Sequence, residues 1–115
     1  MDLKPLADQI IKQSIAAVQP AELFRRQFAV RNGRCFLNNK DLRLENYGNI
    51  FVIGAGKASA AMAVELEKLL GSRIAGGSLS VKYGHGADCR RINVMEAAHP
   101  VPDLNGLSAT AEILH

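Results

Sequence analysis

The sequence has no tryptophan, and its aromatic complement stops at four phenylalanines and two tyrosines. Proteins that hold single-stranded nucleic acid stack bases on aromatic rings along a basic stripe. Here Arg25-Arg26, Arg31, Arg34, Lys40, Arg43 and Arg90-Arg91 are interleaved with acids or apolar residues, and the net charge is only +3. Nucleic-acid binding is therefore not expected. Long apolar runs are missing too: no stretch reaches the roughly 18 uninterrupted apolar residues that a membrane span needs. The opening Met1-Asp2-Leu3-Lys4-Pro5 lacks the basic and apolar blocks of a secretory signal. Cytoplasm is then the expected compartment, with no membrane partner. Cysteine is scarce. Cys35 and Cys89 lie far apart with no CxxC pair, which predicts two reduced thiols.

What is present suits one domain: 115 residues, 48% of them apolar, enough for a single hydrophobic core. Leu3, Leu6, Ile10/Ile11, Ile15 and Val18 recur at helical spacing and predict an amphipathic helix ending before Pro20. Pro20 suits the first turn of a second helix, to about Phe28, because its missing N–H is not needed there. Asn32-Gly33, between Phe28–Arg31 and Arg34–Leu37, predicts a hairpin, since both central positions of a type I′ turn require positive φ. A further turn is expected at Asn38-Asn39-Lys40-Asp41. Residues 1–48 thus form a helical and hairpin lead-in.

From residue 49 the pattern changes. Asn49-Ile50-Phe51-Val52-Ile53 is an unbroken apolar run that predicts a strand buried on both faces, as in a parallel sheet. Ala58 to Leu70 reads as a helix with Met62, Leu66 and Leu69/Leu70 on one face, and Gly71 as its left-handed cap. A short strand, about Ser78 to Lys82, completes a βαβ unit. A third strand, Ile92 to Ala97, follows a connection shorter than parallel neighbours usually need. It is expected either to run antiparallel or to be reached by a long loop. His99-Pro100-Val101-Pro102 must be extended, and Asp103 is a natural N-cap for a last helix carrying Leu104, Leu107, Ala111 and Leu114. That helix meets no Gly, Asn or Pro before His115. A three-strand sheet with an unfinished helix predicts a part of a longer protein, or a chain that folds against another. The fold class expected for 49–115 is α/β, a mostly parallel sheet with flanking helices, left incomplete.

Chemistry is expected at Gly54-Ala55-Gly56-Lys57-Ala58. Glycines at a strand end let the chain turn and let an anion approach the backbone, and the free amides of the following helix favour negative charge. A lysine at that helix start opposes the dipole, at a cost of about 0.3–1 kcal/mol, unless an anion sits beside it. The loop fails GxxxxGK[ST], because Phe51 stands five before Gly56 and Ala58 follows Lys57. It also falls short of GxGxxG, because Ser59 occupies the third glycine position and the second strand ends in Lys82-Tyr83 without an acid. A version in which Lys82 meets an NADP 2′-phosphate stays open. With parallel strands, Lys82-Tyr83-Gly84-His85-Gly86 and His99-Pro100-Val101-Pro102-Asp103 share the crevice, so Lys82, His85 and His99 are candidate anion-binding residues. His85, Cys89 and His99 have no recognised metal-site spacing.

Three blocks in register, Ile50-Phe51-Val52-Ile53-Gly54-Ala55-Gly56-Lys57-Ala58, Val81-Lys82-Tyr83-Gly84-His85-Gly86 and Glu96-Ala97-Ala98-His99-Pro100-Val101-Pro102-Asp103, resemble the N-terminal region of the type-2 glycerate kinases. Some members of that family carry the label hydroxypyruvate reductase. The resemblance implies a Rossmann-like N-terminal domain in a protein several times this length, with a second α/β domain closing over a cleft. It implies transfer of the γ-phosphoryl of ATP to the 2-hydroxyl of D-glycerate, with a divalent metal such as Mg2+ whose ligands lie outside this segment. By the same likeness Lys57 is the active-site lysine, while Gly54, Ala55, Gly56, Ala58, Lys82, His85 and His99 belong to the phosphate- and substrate-binding surface. The family's Gly/Ser-rich nucleotide loop would follow His115, so this segment alone is expected to be inactive; a homodimer is the assembly considered. Two rival readings are a non-catalytic sugar-phosphate-binding module and an NADP-linked hydroxypyruvate reductase.

Overall fold

A computed structural model describes every residue, Met1–His115, and divides the chain into two units, Met1–Leu42 and Arg43–His115. In the first, α1 (Lys4–Ala17) stops short of Pro20 and α2 (Pro20–Gln27) begins on it. Strands β1 (Phe28–Arg31) and β2 (Arg34–Leu37) pair antiparallel across Asn32 (φ 50°) and Gly33 (φ 74°), the positive-φ pair that the hairpin requires. A second positive-φ pair, Asn38 and Asn39, returns the chain into the short β3 (Lys40–Asp41). Cys35 is buried on β2, and the Phe24 and Phe28 rings stack at 4.8 Å. The apolar stripe of α1 stays bare, with Leu6, Ile10 and Ile15 all more than half exposed.

The second unit contains the sheet β4 (Ile50–Ala55), β5 (Ile74–Lys82) and β6 (Asn93–Ala97), in that spatial order and all parallel. Helix α3 (Ser59–Leu70) connects β4 to β5, and α4 (Leu104–Leu114) follows β6. This is the expected α/β arrangement of a parallel sheet with flanking helices. Ala60 and Ala63 of α3 lie against Ile74, Leu79, Val81 and Ile92, with Val52, Leu66 and Leu70 around them. Burying each of the larger aliphatic side chains is worth about 1.5–3 kcal/mol, so this cluster ties α3 and the sheet into one body. Two alanines at the contact let the helix lie close.

Several expectations change. Strand β4 is not buried on both faces: Val52 turns inward, while Phe51 and Ile53 are about two-thirds exposed because α4, on their side of the sheet, lies over β5 and β6 and not over β4. Strand β5 starts at Ile74, well before Ser78: Ile74 pairs with Ile50 and, past an irregularity at Ala75, Gly76 and Gly77 pair with Phe51 and Val52 despite the weak β preference of glycine. A Cβ on Gly77 would lie 2.1 Å from the Val52 carbonyl oxygen, so glycine is what lets the two strands pair there. Gly71 has the positive φ expected of a cap (52°), but its ψ of −122° lies outside the left-handed helical region. Helix α4 turns Ala109 to the sheet and leaves Leu104, Leu107 and Leu114 exposed. Met62 is also largely outside the α3 interface.

The parallel third strand is made possible by a crossover without a helix, residues 83–92. Its backbone amides are met by two carboxylates. Glu67 on α3 accepts from Arg90 N (2.8 Å), Arg91 N (2.6 Å) and Ile92 N (3.1 Å). Glu96 on β6 accepts from Gly84 N (2.9 Å) and Gly86 N (3.0 Å). A connection that makes little secondary structure of its own must place its amides elsewhere, and here two side chains receive them.

Candidate functional site

The three parallel strands end together, so the turns that leave them converge. Gly56 N donates to the Ser80 carbonyl (2.9 Å), joining the loop after β4 to β5. Tyr83 N donates to the Ala97 carbonyl (3.1 Å), joining the turn after β5 to β6. Between these turns lies a hollow of about 560 Å³ lined by Ala55, Gly56, Lys57, Ser80, Val81, Lys82, Ala97, Ala98 and His99. It sits beyond the carboxyl ends of the strands, where open α/β sheets bind ligands.

The two glycines of the loop after β4 have different duties. Gly54 is not in the turn. It is a residue of β4 paired with Leu79, and a Cβ there would come within 3.0 Å of Leu79 Cδ2 and 3.4 Å of Ser59 Cβ. Its role is close packing of the helix start on the strand. Gly56 makes the turn, with φ at 104° and nothing within 4 Å of where a Cβ would be. Ser59 closes the turn by donating its N–H (3.1 Å) and hydroxyl (2.5 Å) to the Gly56 carbonyl. The amides of Lys57 and Ala58, in contrast, donate to no protein acceptor, and both residues are exposed. A helix start with unsatisfied N–H groups beside a cation is suited to phosphate or carboxylate.

Of the residues singled out in the sequence, Ala55, Gly56, Lys57, Lys82 and His99 line the hollow together. Gly54 supports it from within β4, and Ala58 sits at the N-cap of α3. His85 is exposed and absent from the lining; its backbone N–H donates to the Lys82 carbonyl (2.9 Å). Sequence reasoning missed Ser80, Val81, Ala97 and Ala98. Only the β4–β5–β6 register, Ala55 beside Ser80 and Lys82 beside Ala97, brings them to the same level.

Asp103 is the N-cap expected for α4, its Oδ1 accepting from Gly106 N (2.9 Å) and Ala98 N (3.3 Å). Its Oδ2 also accepts a hydrogen bond from the Tyr83 hydroxyl (2.7 Å). That hydrogen bond, followed by the backbone donors, holds the Asp103 carboxyl below its usual range and raises the Tyr83 hydroxyl above its own. For Glu67, burial works against ionisation, but the three backbone donors outweigh it and keep the carboxyl below the usual range. No three His, Cys, Asp or Glu side chains converge into a set that could hold a metal ion.

Residues 6–115 match a family described as a domain of unknown function, DUF4147. A glycerate 2-kinase of Pyrococcus horikoshii is 29% identical over 114 residues, covering 99% of this chain and 25% of that protein. A D-glycerate 2-kinase of Thermotoga maritima is 32% identical over 113 residues, covering 97% of this chain and 24% of its own length. The crystal structure of a glycerate kinase from Thermotoga maritima superposes with a TM-score of 0.70 at 30% identity, over 97% of this chain and 24% of that one. The chain therefore spans about a quarter of the length of the curated relatives it matches.

Proposed function

The chain belongs to the DUF4147 family, and from that membership and the geometry of its glycine loop we propose that it is the phosphate-binding part of a glycerate 2-kinase. The reaction is transfer of the γ-phosphoryl of ATP to the 2-hydroxyl of D-glycerate, giving 2-phosphoglycerate and ADP. One observation carries the proposal: Lys57 lines a hollow at the sheet's carboxyl edge, beside two backbone amides with no protein partner.

Phosphoryl transfer needs little covalent help from a protein; it needs positioning and neutralisation of charge. Gly56, having no Cβ, leaves the backbone open to an oxyanion. The amides of Lys57 and Ala58 and the Lys57 ammonium supply the opposing charge. Lys82 and His99, which follow from β5 and β6 onto the lining of the same hollow, would meet the carboxylate or hydroxyls of a small acid. ATP fits this seat through its phosphates, and its role when bound is to supply the transferred group. A divalent metal finds no ligand set in these residues, so no step is assigned to it here. His85 is proposed as a rim residue outside the lining.

A nucleotide, D-glycerate and a second copy of the protein are the proposed partners. The second copy rests on the bare apolar surface of Phe51, Ile53 and Leu107. Two free thiols, Cys35 and Cys89, accord with a reducing compartment, and cytoplasm is proposed. The test is ATP-dependent formation of 2-phosphoglycerate by the full-length protein. In Lys57→Ala, kcat is expected to fall by about 10²–10³, the loss typical of removing one preorganised charge-stabilising group. Unchanged turnover in that variant removes the assigned role.

A further inference from the structure

Asp103 has a structural duty that uses only half of its carboxylate. Capping α4 occupies Oδ1, which accepts from Gly106 N and Ala98 N. The bond from the Tyr83 hydroxyl to Oδ2 does nothing for the helix end. Tyr83 is further fixed by Asn105, whose side-chain amide donates to the same hydroxyl (2.8 Å). The phenol therefore donates one hydrogen bond and accepts another, both with residues at the start of α4.

The location of this network gives it significance. Tyr83 directly follows Lys82, and Ala98 directly precedes His99; Lys82, Ala98 and His99 all line the hollow. Ala98 and His99 also line an adjoining hollow of about 400 Å³ together with Asp103, Gly106 and Thr110. One carboxylate thus joins the turn leaving β5 to the turn leaving β6. The backbone link between them, Tyr83 N to Ala97 O, lies at the sheet edge. Beyond it the rim is restrained by the Tyr83–Asp103–Asn105 bonds, the Ala98 N–Asp103 contact, the Glu96 contacts and the turn-closing bond from His85 N to the Lys82 carbonyl.

We propose that Tyr83 and Asp103 form a latch, a pair of positioning residues that sets the separation of Lys82 and His99 on the lining of the hollow. The latch rests on the functional reading above only for its kinetic consequence; its structural consequence stands alone. Displacing a group at a site by about 1 Å can cost up to about 10² in rate. Loss of the phenol–carboxylate bond should therefore lower kcat by about tenfold.

The test uses the full-length protein with Tyr83→Phe, which removes the hydroxyl and leaves the cap, and Asp103→Ser, which keeps a capping oxygen and loses Oδ2. The double variant completes a cycle. Three results are expected: each single change lowers kcat about tenfold, the double is no worse than either single, and the urea midpoint of Tyr83→Phe stays at the wild-type value. Hydrogen exchange at the Ala98 and Gly84 amides should quicken in Tyr83→Phe. Unchanged exchange, or multiplicative losses in the double variant, overturns the latch. A wild-type protein that forms no 2-phosphoglycerate overturns the kinase reading instead, and the exchange data then decide the latch by themselves.

Discussion

Gly56 and Gly77 are both glycines of the second unit, yet alanine at each should fail for different reasons. At Gly56 the space is open and the penalty is conformational, since φ is 104°. An L-residue held in such a region costs about 1–3 kcal/mol. Gly56→Ala should lower the urea midpoint by a corresponding amount and weaken phosphate binding measured by calorimetry. At Gly77 the backbone is ordinary and the obstacle is steric: the new Cβ meets the Val52 carbonyl oxygen at 2.1 Å. That oxygen belongs to a strand backbone and cannot swing aside, so β4 and β5 must separate. Gly77→Ala should destabilise by about 3 kcal/mol or more, in the range of severe overpacking, and circular dichroism melts would register it. A Gly77→Ala protein as stable as wild type would contradict the β4–β5 register. The role proposed for Lys57 belongs to this scale too, because it is one of charge placed beside Gly56 and not of packing.

Among the elements, the helix-less crossover between β5 and β6 depends most on single side chains. Glu67→Ala removes the acceptor for the Arg90, Arg91 and Ile92 amides, and these amides should lose hydrogen-exchange protection before the rest of the sheet. The same group sets an acid limit. Its folded-state carboxyl lies below the ordinary 4.5, so its stabilisation is complete above that value and is lost as pH falls through the lower folded one. Asp103 acts in the same direction below its ordinary 3.8. Protection in residues 83–92 should therefore hold at neutral pH and decline on acidification below about pH 4, with Glu67→Gln flattening that decline. Protection indifferent to pH in the wild-type protein would show that the carboxylates do not hold the loop. None of this was visible in the helical periodicity, which places Glu67 among the solvated residues of α3. Its partners come from a loop more than twenty positions away in the chain.

At the scale of the whole molecule, the chain carries apolar surface that it does not cover itself. Phe51 and Ile53 on β4 and Leu104, Leu107 and Leu114 on α4 are all exposed, as is the stripe of α1. Large apolar side chains left bare in this number point to surfaces that associate. Residues 1–115 produced alone should self-associate in light scattering, and Ile53→Lys should reduce that association while leaving the circular dichroism spectrum intact. A monodisperse monomer at high concentration would count against the patch as an interface. No helix is long and apolar enough to cross a membrane, so the exposed residues do not form a helical span.

Local chemistry by itself determined much of this protein. The Asn32-Gly33 hairpin, the Pro20 helix start, the Asp103 cap, and the strand–glycine–helix turn around Lys57 each follow from conformational limits or hydrogen-bonding needs within a few residues. Tertiary structure decided the rest. The direction of β6, the extra length of β5, the bare side of β4, the outward leucines of α4 and the placing of Ser80 and Ala98 beside Lys57 depend on which backbones pair. Pairing depends in turn on groups remote in sequence, such as Gly77 against the Val52 carbonyl and Glu67 under the crossover amides. Periodicity reports which face of an element is apolar; only packing determines whether anything lies against it.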